Sequence, residues 1–372
     1  MKRARTGIPR IAELANVSIG TVDRALHGRP GINEKTRQQV LKIAEEIGYK
    51  PNLAARTLAT GKRIRIGICV PREIAYFYNE LWAGIHEEVR SYAESGIHFE
   101  EPLVPELGKG ERAAFRRLVA SGVDGLIVTP GDPVFMSELI NDAEAAGIRV
   151  LCVSTDAPQS RRSSIVCVEP RLNGLSAGEL MANFLPAGSR VAIITGMLKT
   201  VDHREKTAGF TESFERMNRG GRVVDTIEAH EHERESLQRT KALLRDQPHL
   251  AGIYVNTVNC LPVCRALVET GLARKVRLIT TDLFREMVPF FKSGVIAASM
   301  YQLPYQQGQL AVRSLSEHLL RGAELPAQQL LNPSIVLRSN LVLYRETASP
   351  VADDQSRKGK RDGRKPVPSA KP

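Results

Sequence analysis

The sequence predicts an α/β protein with a small all-helical N-terminal domain and a larger body of parallel sheets in two lobes. Apolar residues at helical spacing run through residues 8–47. From residue 64 onward, β-branched runs alternate with helical patterns of ten to fifteen residues, such as Leu175–Phe184 and Lys206–Met217, which is typical of βαβ units. Residues 64–345 are too many for one sheet, so two lobes are expected.

The N-terminal helices have the form of a helix-turn-helix. The apolar spacing predicts a first helix from Ile8, and the pattern is interrupted just before Ser18, a good N-cap for a second short helix. A third helix is predicted over residues 34–47, with Asn33 as its cap. In a helix-turn-helix the second helix enters the DNA major groove, but a generic helical hairpin would show the same local pattern.

The positive charge of the chain is concentrated near its N-terminus. The formal net charge is +11, of which residues 1–63 carry +8, residues 64–345 carry zero and residues 346–372 carry +3. A basic head on a neutral body suits DNA phosphates, because each Lys or Arg near a phosphate releases counterions. A solvated basic face is the alternative, and the helix-turn-helix pattern disfavours it.

Longer motifs over the same region resemble one family. They are Ala12-x-x-Ala15-x-Val17-Ser18-x-x-Thr21-Val22, Glu34-x-x-Arg37, Gly48-Tyr49-x-Pro51-Asn52 and Ala55-Arg56-x-Leu58. In this unbroken register the chain resembles the lactose-repressor (LacI/GalR) family of bacterial transcription regulators. The resemblance implies a DNA-binding repressor rather than an enzyme. Its ligand domain would be of the periplasmic-binding-protein type (type I), with a sugar or sugar derivative bound between two lobes.

The resemblance also divides the chain. The expected segments are a DNA-binding domain (1–50), a hinge helix with its linker (51–63), an effector domain (64–345) and a tail (346–372). The hinge is too short to be a stable helix alone, and the family inserts a leucine at the position of Leu58 into the minor groove. The tail lacks aromatic residues and is rich in Pro, Ser, Lys and Arg, which predicts disorder. It would add nonspecific DNA affinity or simply increase solubility.

Position in the family motif assigns the DNA contacts. The base-reading residues are Ile19, Gly20 and Arg24, and the phosphate anchors are Ser18, Thr21 and Asn33. Arg24 is the main candidate, since a guanidinium pairs with both acceptors of a guanine. Asp23 stands where relatives commonly have serine, and would pair with Arg24 or with a cytosine amino group. A recognition helix reads only a short half-site, so we expect a homodimer on a pseudo-palindromic operator. The leucine heptads that some relatives use to tetramerise are missing.

Resemblance to ribose-type sugar-binding proteins assigns the effector contacts. The matched residues are Phe77, Tyr78, Asp156, Arg204, Asn256, Asp282 and Gln302. Most follow predicted strands, where open α/β sheets bind ligands, and they combine aromatic rings with hydroxyl-binding groups. Taken singly, each is equally well explained as a capping or surface residue. Ala157 stands where relatives often have an arginine after the first aspartate, so the identity of the sugar remains open. Arg204 would also suit a sugar acid or a sugar phosphate.

Two other functions compete with this hypothesis, an α/β oxidoreductase and a transport-associated sugar-binding protein. The chain has neither a GxGxxG fingerprint after a strand nor a GxxxxGK[ST] phosphate loop, and no cofactor is expected. The basic N-terminus lacks the apolar core of a secretory signal, and no apolar run is long enough to span a membrane. Cys260 and Cys264 are one helical turn apart without a further ligand nearby, so no metal site is expected. We therefore expect a cytoplasmic, nucleoid-associated protein with reduced thiols.

Overall fold

A computed structural model of the protein describes residues 8–26, 30–47, 63–72 and 75–344. Three short helices form the N-terminal domain: α1 (Ile8–Ala15), α2 (Ile19–Leu26) and α3 (Glu34–Glu46). Their inward faces pack together around the fully buried side chains of Ile11, Val22 and Val40. The three predicted helices are confirmed, while Leu58, residues 51–62 and the tail lie outside the described residues.

The body alternates strands and helices along the chain. The strands are β1 (Ile64–Cys69), β2 (Ile97–Glu100), β3 (Gly125–Val128), β4 (Arg149–Val153), β5 (Ser164–Val168), β6 (Arg190–Thr195), β7 (Arg222–Glu228), β8 (Leu250–Val255), β9 (Arg277–Thr281), β10 (Ile296–Tyr301), β11 (Gln329–Leu331) and β12 (Ser334–Val336). The helices are α4 (Ala75–Ser91), α5 (Glu111–Ala120), α6 (Pro133–Ala145), α7 (Pro170–Phe184), α8 (Val201–Met217), α9 (Glu233–Asp246), α10 (Leu261–Glu269), α11 (Val288–Ser293) and α12 (Pro304–Arg321). Short 3₁₀ turns occur at Arg285–Met287 and Leu341–Tyr344.

The chain divides into two compact units, each built on one six-stranded sheet. The first contains the chain up to Leu172, Met197–Lys206 and Gln302–Asn332, and the second contains Asn173–Gly196, Thr207–Tyr301 and the chain from Pro333. The strand order is β11-β5-β4-β3-β1-β2 in the first sheet and β12-β10-β9-β8-β6-β7 in the second. All neighbours are parallel except β10 and β12. The expected parallel α/β architecture with two lobes is confirmed.

The elements missing from the sequence prediction are short. Strands β2, β11 and β12 contain three or four residues and lie at sheet edges, where burial is incomplete and no long apolar run is needed. The predicted bounds also shift at several helices. Helix α7 begins at Pro170, because proline at the first helical position loses no hydrogen bond. Helix α8 begins at Val201, five residues before the start at Lys206 that the sequence pattern predicts, so Asp202 and Arg204 also belong to the helix.

Helices α4 and α12 pack backbone against backbone in the first unit. A Cβ atom at Gly84 would lie 2.0 Å from the carbonyl oxygen of Tyr305, and one at Gly308 would lie 2.3 Å from the carbonyl oxygen of Leu81. Neither distance is physically possible without moving a helix, so both positions require glycine. This close packing covers one face of the first sheet and holds the strands in place.

Candidate DNA-binding surface and effector site

The turn between α1 and α2 is set by Asn16. Its φ of 52° lies in the left-handed region, which asparagine tolerates better than most residues. The N–H of Val17 donates to the carbonyl of Ala12 at 3.0 Å, and the N–H of Asn16 donates to that of Glu13 at 3.2 Å. This pair of bonds is the Schellman arrangement that ends a helix. It stops α1 and allows α2 to start in a new direction two residues later.

Two predicted helix caps are confirmed. The hydroxyl of Ser18 accepts the N–H of Thr21 at 3.1 Å and shares a hydrogen bond with the Thr21 hydroxyl at 2.9 Å. The side-chain oxygen of Asn33 accepts the N–H of Thr36 at 2.7 Å. Ser18 and Asn33 are exposed and Thr21 is half-buried. The Asn33 amide N–H₂ group is not used by the cap, so it stays available for the predicted phosphate contact.

The predicted base-reading residues lie on the outer face of α2. Ile19 is 56% exposed, and Gly20 and Arg24 are exposed as well, whereas Val22 and Ala25 are buried on the opposite face. A Cβ at Gly20 would lie 4.0 Å from Nη1 of Arg24, so the guanidinium extends over the glycine. Among the described residues, no carboxylate forms an ion pair with Arg24. Its donors are therefore free for a guanine edge.

In the first unit, Phe77 and Tyr78 follow β1 but belong to the first turn of α4 rather than to a loop. Both rings are buried, with centroids 5.2 Å apart in an edge-to-face contact. Gln302 lies directly after β10, where the chain re-enters the first unit, and is also buried. Its carbonyl accepts the side-chain N–H of Gln307 at 2.8 Å, which holds this crossover to the first turn of α12.

Asp156 follows β4 and forms a two-pronged ion pair with Arg162. The Nη2 of Arg162 donates to Oδ2 at 2.7 Å, and its Nε donates to Oδ1, which also accepts the N–H of Ala157 at 2.7 Å. The third guanidinium nitrogen donates to the carbonyl of Ala327 at 2.9 Å. Three of the roughly four acceptor positions of this carboxylate are occupied, which leaves it one for a ligand.

The inward-facing cation of α8 is Lys206 and not Arg204. Arg204 is 48% exposed, and its Nε lies 3.4 Å from Glu205 Oε1. Lys206 is 1% exposed, and its Nζ lies 2.7 Å from Asp202 Oδ2. Because α8 starts at Val201, Asp202 and Lys206 share one face, whereas Arg204 is rotated about 200° from Lys206. The sequence did carry a signal for this pair, an aspartate four residues before a lysine.

His203 lies beside this pair. Its Nδ1 lies 3.0 Å from the backbone nitrogen of Met197, and its Nε2 lies 3.9 Å from Asp202 Oδ2. Oδ1 of Asp202 is buried and has no hydrogen-bond partner among the described residues. The segment therefore holds a buried carboxylate, an ammonium and an imidazole together, with one acceptor unused.

In the second unit, Asn256 and Asp282 directly follow the neighbouring strands β8 and β9, and both are buried. The amide of Asn256 donates to the Thr207 hydroxyl at 2.8 Å. Asp282 has a φ of 66°, and its N–H donates to the carbonyl of Met300 at 2.9 Å. A non-glycine residue held in this strained conformation at a strand end is common at binding sites. The predicted position of both residues after adjacent strands is confirmed, and their role stays a prediction.

Three buried hydroxyl groups at the carboxyl ends of other strands have no hydrogen-bond partner among the described residues. Thr129 follows β3 and Thr155 lies two residues after β4 in the first unit, while Thr195 ends β6 in the second. All three are buried, and none of their hydroxyl oxygens has a hydrogen-bond partner in the described part of the chain. A buried polar group without a partner costs about 1–3 kcal/mol. A ligand rich in hydroxyl groups would supply the missing partners.

The loop after β3 is anchored by a buried carboxylate. Glu111 accepts the N–H of Gly131 at 2.8 Å and that of Asp132 at 3.1 Å. Burial raises the pKa of Glu111 above its usual value, while these N–H donors act in the opposite direction. A Cβ at Gly131 would lie 2.2 Å from the backbone nitrogen of Gly108, so the loop packs directly on another backbone segment. The strand end next to Thr129 is therefore rigid.

Other chemical sites find little support in the described residues. They contain no cluster of three or more His, Cys, Asp or Glu that could hold a metal ion, and none of their helices is long and apolar enough to cross a membrane. All five cysteines are free and buried, and burial raises the pKa of the Cys167 thiol to about 12. The string Gly174–Gly178 has the GxSxG spelling of a hydrolase nucleophile motif. It lies inside α7 and not at a strand-to-helix turn, so it does not expose a nucleophile.

Comparison with known protein families gives two matches. Residues 8–52 match the model of bacterial regulatory proteins of the lacI family, and residues 66–324 match that of a periplasmic binding protein domain. The HTH-type transcriptional regulator AglR of Rhizobium meliloti (strain 1021) is 29% identical over 352 residues, which cover 90% of this chain and 93% of that protein. Catabolite control protein A of Priestia megaterium is 23% identical over 318 residues, covering 83% and 91%.

Solved structures with the same fold include solute-binding proteins. One from an ABC transporter of Burkholderia graminis, in complex with D-arabinose, has a TM-score of 0.70 at 24% identity and covers 76% of this chain and 98% of its own. GanP, a glucose-galactose binding protein from Geobacillus stearothermophilus, has a TM-score of 0.69 at 23% identity and covers 75% and 99%. At these identities the likeness concerns the fold of the body.

Proposed function

The chain belongs to the lacI family of bacterial regulatory proteins and is a DNA-binding transcriptional regulator, and we propose that a small sugar or sugar derivative controls it. The regulator would repress transcription by binding a pseudo-palindromic operator as a homodimer. Sugar would bind at the carboxyl ends of the strands and change operator affinity. A DNA-binding regulator acts at the chromosome, so we place the protein in the cytoplasm, at the nucleoid.

The observation that carries the sugar proposal is the set of buried polar groups without partners. Hydroxyl oxygens of Thr129 and Thr155 in the first unit, and of Thr195 in the second, all lie at carboxyl ends of strands. Each can donate and accept one hydrogen bond or more, which matches sugar hydroxyls, since these also do both. Asn256 and Asp282 add amide and carboxylate groups at the neighbouring strand ends of the second unit. The solute-binding proteins that share this fold bind D-arabinose in one case and are named for glucose and galactose in another.

We assign the cationic role at the effector site to Lys206 in place of Arg204. Lys206 is buried and paired with Asp202, whose second oxygen is unused among the described residues. A buried carboxylate with a free acceptor binds a hydroxyl well, because the low-polarity surroundings strengthen the hydrogen bond. Phe77 and Tyr78 would pack against the apolar face of the sugar. The role of Asp156 would be secondary, because much of its hydrogen-bonding capacity already serves the loop next to it. Gln302 would contribute its side-chain amide, since its bond to Gln307 involves only the backbone carbonyl.

For DNA, we propose that Arg24 reads a base and that Ser18, Thr21 and Asn33 bind phosphates. Exposure of the outer face of α2 and the absence of a carboxylate partner for Arg24 among the described residues support this assignment. Ile19 would contact a thymine methyl, and Gly20 would allow the Arg24 side chain to cross it. Leu58 would enter the minor groove. One recognition helix per chain covers only a half-site, so two chains are needed for a full operator.

We further propose that the protein has no enzymatic activity and needs no cofactor. Its relatives are regulators, and the hydrolase-like spelling at Gly174–Gly178 lies within a helix. The competing function, a sugar-binding protein or oxidoreductase without a role at DNA, predicts that sugar binding and DNA binding are unlinked.

The experiment is a sugar screen followed by an operator titration. Calorimetry with D-arabinose, D-glucose, D-galactose and related sugars should give saturable binding of one sugar class, with one site per chain. Operator affinity, measured at fixed salt with and without that sugar, should then differ about 5–150-fold, the usual range of coupling between two sites. If sugar binding is established and operator affinity is the same in both conditions, sugar does not regulate DNA binding and the proposal is refuted. Asn256→Ala should abolish the sugar effect while leaving operator affinity of the free protein unchanged.

A further inference from the structure

We propose that the second unit carries an additional site for a small organic phosphate. The site is a pocket of about 520 Å³ formed by the segment that follows β9, helix α11 and the last described 3₁₀ turn. This volume lies within the usual range of small-molecule pockets, roughly 300–1,000 Å³. None of the residues proposed to bind sugar lines the pocket. Its ligand is therefore a second one, in addition to the proposed effector.

Three cationic side chains line this pocket: Arg285, Lys292 and Arg338. They come from three separate places, the 3₁₀ turn after β9, the last turn of α11 and the loop after β12. No acidic residue lines the pocket, and none of the three cations forms an ion pair with another described residue. Three unneutralised charges around one concavity produce a positive potential that attracts an anion with more than one negative charge.

The types of cation favour phosphate. Two guanidinium groups can each bind two oxygens of one phosphate through paired N–H donors, and the lysine adds a compact positive charge. A phosphate ester carries nearly two negative charges at neutral pH, whereas a single carboxylate carries one. A neutral sugar gains little from such a cluster. The volume of the pocket also suits a small ester better than the extended backbone of duplex DNA.

The rest of the lining is apolar or aromatic. Leu283 and Leu341 are buried, at 5% and 8% exposure, and Val288 is half-buried. The ring of Tyr344 also lines the pocket and is held edge-to-face against Tyr301, with centroids 5.6 Å apart. An inorganic ion would leave these surfaces uncovered. The combination predicts a ligand with a phosphate at one end and an apolar or ring-shaped body at the other.

Phenyl phosphate is the simplest probe with both features. Calorimetry on the full-length chain at fixed ionic strength should show saturable binding with one site per chain. Phenol lacks the charge and inorganic phosphate lacks the ring, so each should bind at least about tenfold more weakly. Replacing the three cations together (Arg285→Gln, Lys292→Gln, Arg338→Gln) should weaken phenyl phosphate binding by about tenfold or more. Lys292→Gln alone should give a smaller loss in the same direction.

The control removes the same charge from the same unit outside the pocket. Arg219→Gln, Lys275→Gln and Arg277→Gln together change three exposed cations that form no ion pair with described residues. Binding should stay within about twofold of the unchanged protein. If the two triple variants lose the same affinity for phenyl phosphate, general electrostatic attraction explains the binding and the proposed site is wrong. Phenol binding as tightly as phenyl phosphate, or displacement of the probe by a short random DNA duplex, would overturn it as well.

Discussion

The buried ion pair between Asp202 and Lys206 gives a quantitative test of the structure. The two residues are separated by one helical turn of α8, with Nζ 2.7 Å from Oδ2 and the lysine side chain 1% exposed. Removing one partner of a buried pair costs about 3–5 kcal/mol, because the other charge stays buried without compensation. Oδ1 of Asp202 already has no hydrogen-bond partner among the described residues, so little remains to stabilise this carboxylate. Lys206→Met should therefore lower the unfolding free energy by about 3–5 kcal/mol.

Helix α8 contains its own control. Glu212 and Arg216 have the same i,i+4 spacing, but their side chains are 43% and 64% exposed and lie 3.4 Å apart. Such a pair contributes about 0.3–0.5 kcal/mol, so Arg216→Met should lower stability by less than 1 kcal/mol or so. Urea unfolding at one fixed protein concentration gives both values. Fixed concentration matters, since the stability of the proposed homodimer would depend on it.

The double variant Asp202→Asn, Lys206→Met removes both charges and should recover most of the loss of the single lysine variant. Recovery identifies the cost as that of an unpaired buried carboxylate rather than of lost packing. If Lys206→Met lowers the unfolding free energy no more than Arg216→Met does, Lys206 is solvated and its assignment as the inward cation is wrong. If the pair also serves the effector, the double variant should be stable and yet gain no stabilisation from the sugar found in the screen.

Four further outcomes are expected. Arg24→Ala should cost about 1–3 kcal/mol of operator binding and relax specificity at one base pair, measured by gel shift against single-base operator variants; unchanged affinity would contradict the assigned reading face. Gly308→Ala should destabilise the first unit by about 1–3 kcal/mol in urea unfolding, because its Cβ would meet the Leu81 carbonyl, and an unchanged midpoint would contradict the close helix packing. The raised pKa of Glu111 means that the folded carboxyl binds its proton more tightly than the unfolded one, so its stabilising effect is present at low pH and is lost as pH rises above its ordinary 4.5. Glu111→Gln should therefore flatten the fall of the unfolding free energy as pH rises above 4.5, and an unchanged slope would contradict this. Finally, a thiol reagent at neutral pH should leave Cys167 unmodified in the folded protein and modify it after denaturation, because a pKa of about 12 leaves almost no thiolate; rapid labelling of Cys167 in the native protein would contradict its burial.

Much of the N-terminal domain was predictable because its signals are local. Ser18 and Asn33 cap the helices that directly follow them, and a cap acts over three residues of chain. The parallel sheets were predictable for a related reason, since a central strand buried on both faces needs a continuous apolar run. Edge strands such as β2 have no such run, and they form only because a neighbouring strand offers hydrogen bonds.

For the effector residues, the sequence predicted positions in the fold better than it predicted roles in binding. Asn256 and Asp282 follow strands that the sequence identifies, so their place at the strand ends required no tertiary information. Arg204, predicted as an effector contact, is half-exposed on α8, whereas Lys206, two residues further along the helix, is the buried cation. The sequence placed the helix start five residues too late. Asp156 was named without its partner Arg162, since nothing in the spacing of six residues indicates a contact across a loop.

The sequence by itself determined the order of the elements, the family motifs of the DNA-binding domain and the strands after which polar residues occur. Hydrophobic periodicity and helix caps act within a few residues, so these features can be predicted without knowledge of the rest of the chain. Only the tertiary structure decided which polar atoms are buried without partners among the described residues, as at Thr129 and Thr195, and which cations converge on one pocket, as do Arg285 and Arg338. Burial and convergence depend on segments far apart in the chain, because the desolvation of a group is set by every element that packs around it.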